Sequence, residues 1–134
     1  MRTVKRLAAL AAILVALIGT GTTVANAAPA DWACNSGDLC VYNGADGTGG
    51  RCAWSNADNN WLVAPVTCSW AGSRATYSIN NSGTSSAYTG VMMYLSPDYQ
   101  NPFFCMPQQQ SIELPRGVLF RSHKWVTTSC HGVV

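Results

Sequence analysis

Six cysteines are the residues of this sequence with the widest chemical scope, and all of them follow residue 28. A thiolate can act as a nucleophile or bind zinc, but the sequence has no Cys-x-x-Cys spacing and only two histidines, His123 and His131. An even number of cysteines in a small secreted chain is typical of a disulfide framework. Fifteen pairings are possible, and our working hypothesis is the sequential one: Cys34–Cys40, Cys52–Cys68 and Cys105–Cys130.

Residues suited to acid–base catalysis are sparse. Glu113 is the single glutamate, and no two carboxylates stand in a context that would divide the roles of general acid and general base. The sequence has no Gly-x-Ser-x-Gly elbow, and His123 has no evident catalytic partner. Asp46, Asp58 and Asp98 could supply oxygens to calcium, but calcium takes six to eight oxygen ligands. The sequence therefore predicts no enzyme, no metal site and no cofactor.

The first 27 residues read as a leader. A basic start with Arg2, Lys5 and Arg6 precedes an uncharged apolar run at 7–18, which is too short to span a bilayer. Small residues at 25–27 fit a cleavage site. We predict a secretory signal peptide at 1–27 and one extracellular domain at 28–134 that leaves the membrane after cleavage. The domain keeps five basic and six acidic residues, which predicts no nucleic acid partner.

Short apolar segments separated by turn residues dominate the chain after the leader. No stretch there combines apolar residues at helical spacing with capping residues. Alternation and β-branched or aromatic content predict about eight strands, which indicates an all-β sandwich or barrel. The thirteen aromatic residues are predicted to lie mostly in its core. The predicted strands are 39–42, 51–54, 61–65 (a short edge strand), 74–79, 91–95, 103–106, 111–114 and 118–125.

The segment 90–107 has the pattern of a hairpin with a long polar loop, bounded by prolines and carrying a cysteine on its second arm. The same order of residues occurs earlier in the chain. Tyr42, an aspartate and a cysteine recur as Tyr94, an aspartate and Cys105 at nearly equal separations. This recurrence indicates two copies of one supersecondary unit.

Four segments together resemble a known family. They are Ala-Cys-Asn-Ser-Gly-Asp-Leu-Cys-Val-Tyr at 33–42, the strand and Asn-Gly turn at 72–84, the hairpin at 94–105, and the Gly-led strand at 115–122. In this order they resemble the secreted bacterial metalloproteinase inhibitors, peptidase inhibitor family thirty-six. The resemblance implies a disulfide-stapled βγ-crystallin-like sandwich of two Greek-key units. It also implies a monomer that inhibits an extracellular protease, most of all a metalloprotease, through a substrate-like loop.

The same resemblance implies a reactive bond between Cys105 and Met106. Phe103, Phe104 and Pro107 would flank it in the protease cleft, with Met106 as the apolar residue that thermolysin-type proteases favour after the cleaved bond. In the alternative interpretation, both phenylalanines belong to a core strand and Cys105 is only a staple.

A second functional class stays open from the sequence alone. The chain could be a βγ-crystallin-like antifungal or glycan-binding module without inhibitory activity, because exposed aromatic rings stack on sugars. The tryptophans that would form such a face are Trp32, Trp54, Trp61 and Trp70.

Overall fold

The computed structural model describes residues 32–131, so the predicted signal peptide lies outside the described residues. This part of the chain contains seven strands and one four-residue 3₁₀ helix, Ser69–Gly72. The all-β prediction is confirmed. No helix between residues 32 and 131 is long and apolar enough to cross a membrane. The strands are β1 Leu39–Tyr42, β2 Arg51–Trp54, β3 Thr76–Asn81, β4 Gly90–Ser96, β5 Gln100–Pro107, β6 Gln110–Val118 and β7 Ser122–Val126.

The strands form two antiparallel sheets. The first has the order β2-β1-β3-β6 and the second the order β5-β4-β7. In the first sheet, β1 lies between its hairpin partner β2 and the later strand β3. In the second sheet, β4 lies between its hairpin partner β5 and the later strand β7. Strand β6 is the exception, because it follows β5 in sequence but pairs with β3 in the first sheet, with Ile112 opposite Ile79.

Three predicted segments differ from the structure in more than the positions of their ends. Residues 61–65 form turns instead of an edge strand, and the preceding segment meets β7 through a single bridge between Asp58 and His123. The predicted long loop of the second hairpin is wrong, since pairing continues to Ser96 opposite Gln100 and leaves a tight turn. The predicted strand 118–125 is interrupted, because β6 ends at Val118 and β7 begins only at Ser122.

The core takes side chains from both sheets. Leu39, Val41 and Ile79 come from the first sheet, and Val91 and Met93 from the second. Alternate residues of a strand face the same side, so each of β1 and β4 contributes a pair spaced by two. Large rings fill the rest of the core. Only Tyr77, Tyr88 and Phe103 are exposed among the thirteen aromatic residues.

All six cysteines are paired in sequence order, as predicted: Cys34–Cys40, Cys52–Cys68 and Cys105–Cys130. The first disulfide joins the segment before β1 to Cys40 within β1. The last joins the segment after β7 to Cys105 in β5. The middle one ties β2 to the residue before the 3₁₀ helix. Such cross-links stabilise a small domain mainly by restricting its unfolded chain.

Candidate functional site

The predicted reactive segment, residues 103–107, lies in β5 at one edge of the three-stranded sheet. Within residues 32–131, β5 pairs with β4 alone, with Cys105 opposite Met92 and Met106 opposite Val91. Met106 is 1% exposed and Cys105 is 8% exposed. Phe104 and Met106 both belong to the core cluster, whereas Cys105 bonds to Cys130. The candidate bond therefore joins a core residue to a disulfide-bonded one.

The backbone of this segment is held by a neighbouring strand and by one buried side chain. Strand β4 pairs with it, and the Asn81 side-chain nitrogen donates to the carbonyl oxygens of Met106 and Pro107 at 2.9 and 3.1 Å. The Cys105–Met106 bond therefore lies within the sheet. A protease could grip it only after this end of β5 had left its partners.

Phe103 is the one large side chain of the reactive segment that meets solvent. It is 49% exposed and sits at an irregularity in the β4–β5 register. Its ring makes edge contacts with Phe104 and Phe120 at centroid distances of 5.8 and 5.7 Å. Phe103 also borders an open, almost wholly apolar groove of about 290 Å³, whose other walls are residues 114–118.

The tryptophan face suggested for glycan binding is wrong. Trp54 and Trp61 are buried and stack on each other with ring centroids 4.6 Å apart. Trp32 makes an edge contact with Tyr42 at the end of β1, whereas Trp54 pairs with Leu39 at the start of that strand. Four tryptophans that are partly or wholly built into the fold cannot form one sugar-stacking surface.

Two of the three aspartates considered for calcium lie in hairpin turns, and the third, Asp58, forms the bridge to His123. Asp46 and Asp98 adopt left-handed backbone conformations in their hairpins, with φ of 54° and 57°. The amide of Asp46 donates to a Glu113 carboxylate oxygen at 2.7 Å, and Asp98 accepts from the Asn59 side chain at 3.0 Å. No group of three His, Cys, Asp or Glu side chains comes together within residues 32–131.

His123 is fully buried and packs against the rings of Trp54 and Trp61. The Trp61 indole nitrogen donates to His123 Nδ1 at 2.9 Å, so Nε2 carries the proton and donates to the carbonyl oxygen of Asn56 at 3.0 Å. Burial lowers the pKa of His123 from 6.5 to about 4, although the Asn56 hydrogen bond opposes this effect. The neutral ring joins β7 to the segment 56–61 by hydrogen bonds, which is a structural role.

A loop that the sequence did not single out lies between Trp61 and Cys68. We call residues 62–67, Leu-Val-Ala-Pro-Val-Thr, the 62–67 loop. Its residues 63–67 are all exposed, whereas Trp61 and Cys68 on either side are fully buried. The apolar run predicts a strand, and Pro65 is the local signal against it, since proline interrupts a strand ladder.

A comparison with protein families agrees with this all-β, disulfide-bonded architecture. A family model described as Peptidase inhibitor family I36 matches residues 27–106, which is more than half of the chain. The match includes β1 to β4, the 62–67 loop and β5 as far as Met106. No curated protein matches the chain. The family consists of inhibitors and not of enzymes, and the chain belongs to peptidase inhibitor family I36.

Proposed function

We propose that this peptidase inhibitor acts outside the cell, as a monomer, on a metalloprotease. Family membership supplies the inhibitory role and the protease partner. Three disulfides in about a hundred residues support an oxidising compartment. The candidate contact residues are apolar, as expected for clefts that favour an apolar residue after the cleaved bond.

The strand order supports a fold of two Greek-key units of the βγ-crystallin kind. Strands β1 and β4 occupy equivalent central places, and each hairpin turn carries an aspartate in the left-handed conformation. Strand β6 would then be the strand that the second unit contributes to the sheet of the first.

The Cys105–Met106 bond remains the reactive bond in this proposal. Three features of the segment support it: β5 is an edge strand, Phe103 is exposed beside the bond, and the Cys105–Cys130 disulfide would retain both products of a cut. Edge strands can pair with an extended partner. The mechanism requires Met106 to leave the core, which costs about 1.5–3 kcal/mol for a side chain of this size.

The test of the target class is a titration of the purified protein, without its leader, against three proteases. They are a thermolysin-type metalloprotease, a subtilisin-type serine protease and a papain-type cysteine protease. We expect stoichiometric loss of the metalloprotease activity alone. Inhibition confined to the serine or cysteine protease would overturn the metalloprotease assignment, while the family assignment would stand.

The test of the reactive bond uses the exposed neighbour, because substitution of buried Met106 would perturb the fold. If the Cys105–Met106 bond is the main contact, Phe103→Ala should weaken inhibition by about tenfold or more. Tyr77→Ala removes a similarly exposed ring from β3 and serves as the matched control. Equal inhibition by both variants would argue against a role for this end of β5.

A further inference from the structure

The 62–67 loop has the exposure that the Cys105–Met106 bond lacks. Val63 is 47% exposed and Val66 is 38% exposed, and both belong to the small set of large apolar side chains that meet solvent within residues 32–131. The loop contains no charged residue. It therefore presents an uncharged, largely apolar tip of five consecutive exposed residues.

The base of the loop is closed by hydrogen bonds. The amide of Cys68 donates to the carbonyl oxygen of Trp61 at 2.6 Å, which pins the two ends of the loop together. The amide of Trp61 donates to the carbonyl oxygen of Arg121 at 2.9 Å, and that of Val63 to Asn60 at 3.1 Å. These bonds fix the entry and the exit of the loop relative to Arg121, the residue that precedes β7.

Two further anchors hold the same base. On the entry side, the Trp61 ring is buried, stacks on Trp54 and donates to His123. On the exit side, Cys68 is buried and bonded to Cys52 in β2. A loop that is fixed before binding loses less conformational entropy in a complex, so more of its contact energy appears as affinity.

We propose that the 62–67 loop is a peptidase-binding loop, which enters the active-site cleft of the target enzyme while the fold stays closed. The proposal rests on the proposed inhibitory function and assigns its main contact to a different segment. The partner surface that the proposal specifies is an apolar, uncharged pocket of this cleft, which receives Val63 and Val66. The contact needs no strand to leave a sheet, in contrast to a contact through Met106.

The disulfide pattern suits a loop that behaves as a slow substrate. Hydrolysis of a bond in the loop adds one water and creates a new carboxylate and a new amino group. Cys52–Cys68 is the one disulfide of the three that joins a residue before the loop to a residue after it. A cut protein would therefore remain one covalent molecule, with the new ends held near each other.

The experiment measures inhibition constants against the thermolysin-type metalloprotease for the wild type and three variants. We expect Val63→Asp/Val66→Asp to raise the inhibition constant by about 100-fold or more, because two apolar contacts become charged. With the main contact in the 62–67 loop and not in β5, Phe103→Asp and the matched control Tyr77→Asp should change it by less than about threefold. Unchanged melting temperatures would show that all three variants fold, as expected for exposed positions.

The outcomes separate the loop from the function. If the wild type inhibits and Val63→Asp/Val66→Asp inhibits equally well, the loop proposal is overturned and the proposed function stands. If the wild type inhibits none of the three proteases, the proposed function fails and the loop proposal fails with it.

Mass spectrometry after prolonged incubation with the inhibited enzyme supplies a second measurement. We expect an intact mass increased by one water, which separates after reduction into two fragments that meet within residues 62–67. Fragments that meet only between Cys105 and Met106 would overturn the loop proposal in favour of β5.

Discussion

Acidification should destabilise this protein through one buried side chain, His123. In the unfolded chain its imidazole binds a proton below about pH 6.5, whereas in the folded chain it does so only below a pKa of about 4. Between these values the unfolded state binds more protons, so lowering the pH favours unfolding. The free energy of unfolding is therefore unaffected by His123 above pH 6.5 and falls as the pH is lowered toward 4.

The magnitude follows from the two pKa values. Each pKa unit is worth a little over 1 kcal/mol, so the loss is about 1 kcal/mol at pH 5.5 and about 3 kcal/mol at pH 4. The structure gives the physical reason. A protonated His123 would turn Nδ1 into a donor facing the Trp61 indole donor, and it would place a charge against two buried rings.

The assay is urea unfolding followed by tryptophan fluorescence at several pH values between about 7.5 and 4. The control is His123→Gln, whose side-chain amide can still donate a hydrogen bond but does not titrate in this range. Carboxylates titrate in both proteins, so the difference between their pH slopes isolates His123. Parallel slopes for the two proteins between pH 6.5 and 4.5 would refute the reasoning.

Three further substitutions test the packing and the cross-links, all by thermal or urea unfolding. Phe120→Ala should lower the free energy of unfolding by about 3–5 kcal/mol, because its ring is buried against Phe103 and other rings; a loss below about 1 kcal/mol would contradict the assigned core. Gly90→Ala should destabilise the second sheet, since the new methyl carbon would overlap a carbonyl oxygen of β5; wild-type stability would show that β5 yields easily. Replacement of Cys52 and Cys68 by serine should lower the free energy of unfolding by about 3 kcal/mol, and the protein that remains folded should also inhibit more weakly. Full inhibition by the folded variant would show that the loop does not need this disulfide.

Much of the framework could be predicted from local sequence. Strands β1 and β2 lie where alternation and turn residues predict them, and β4 and β5 differ from prediction mainly at their ends. The sequential disulfide pairing is confirmed, although the sequence offers it only as one hypothesis among fifteen. Local patterns succeed here because hairpins pair residues that are close in the chain.

Long-range contacts explain what the sequence could not show. Residues 61–65 look like a strand locally, but Trp61 is held by Arg121 and His123, about sixty positions away. No pattern within one window contains that information. Local periodicity therefore predicts a strand at 61–65, where the structure has an exposed loop.

The burial of the candidate reactive bond was partly readable. Phe104 and Met106 are two residues apart, so in a strand they must face the same side. Once 103–106 is assigned to a strand with a core-facing phenylalanine, Met106 follows it inward. The resemblance points to the position of the bond, whereas strand periodicity indicates the environment of the side chains.

The position of β6 ties the assembly of the whole molecule to the end of its synthesis. The first sheet has β3 as an unpaired edge until residues 110–118 have been made, although its other strands are complete by residue 81. Domains generally fold as units when enough of the chain is available, and pairing across such a separation is slow. Neither half is therefore a self-sufficient module, and a fragment ending at residue 106 would expose the edge of β3. The first sheet of such a chain therefore stays incomplete until the last quarter of the polypeptide has been made.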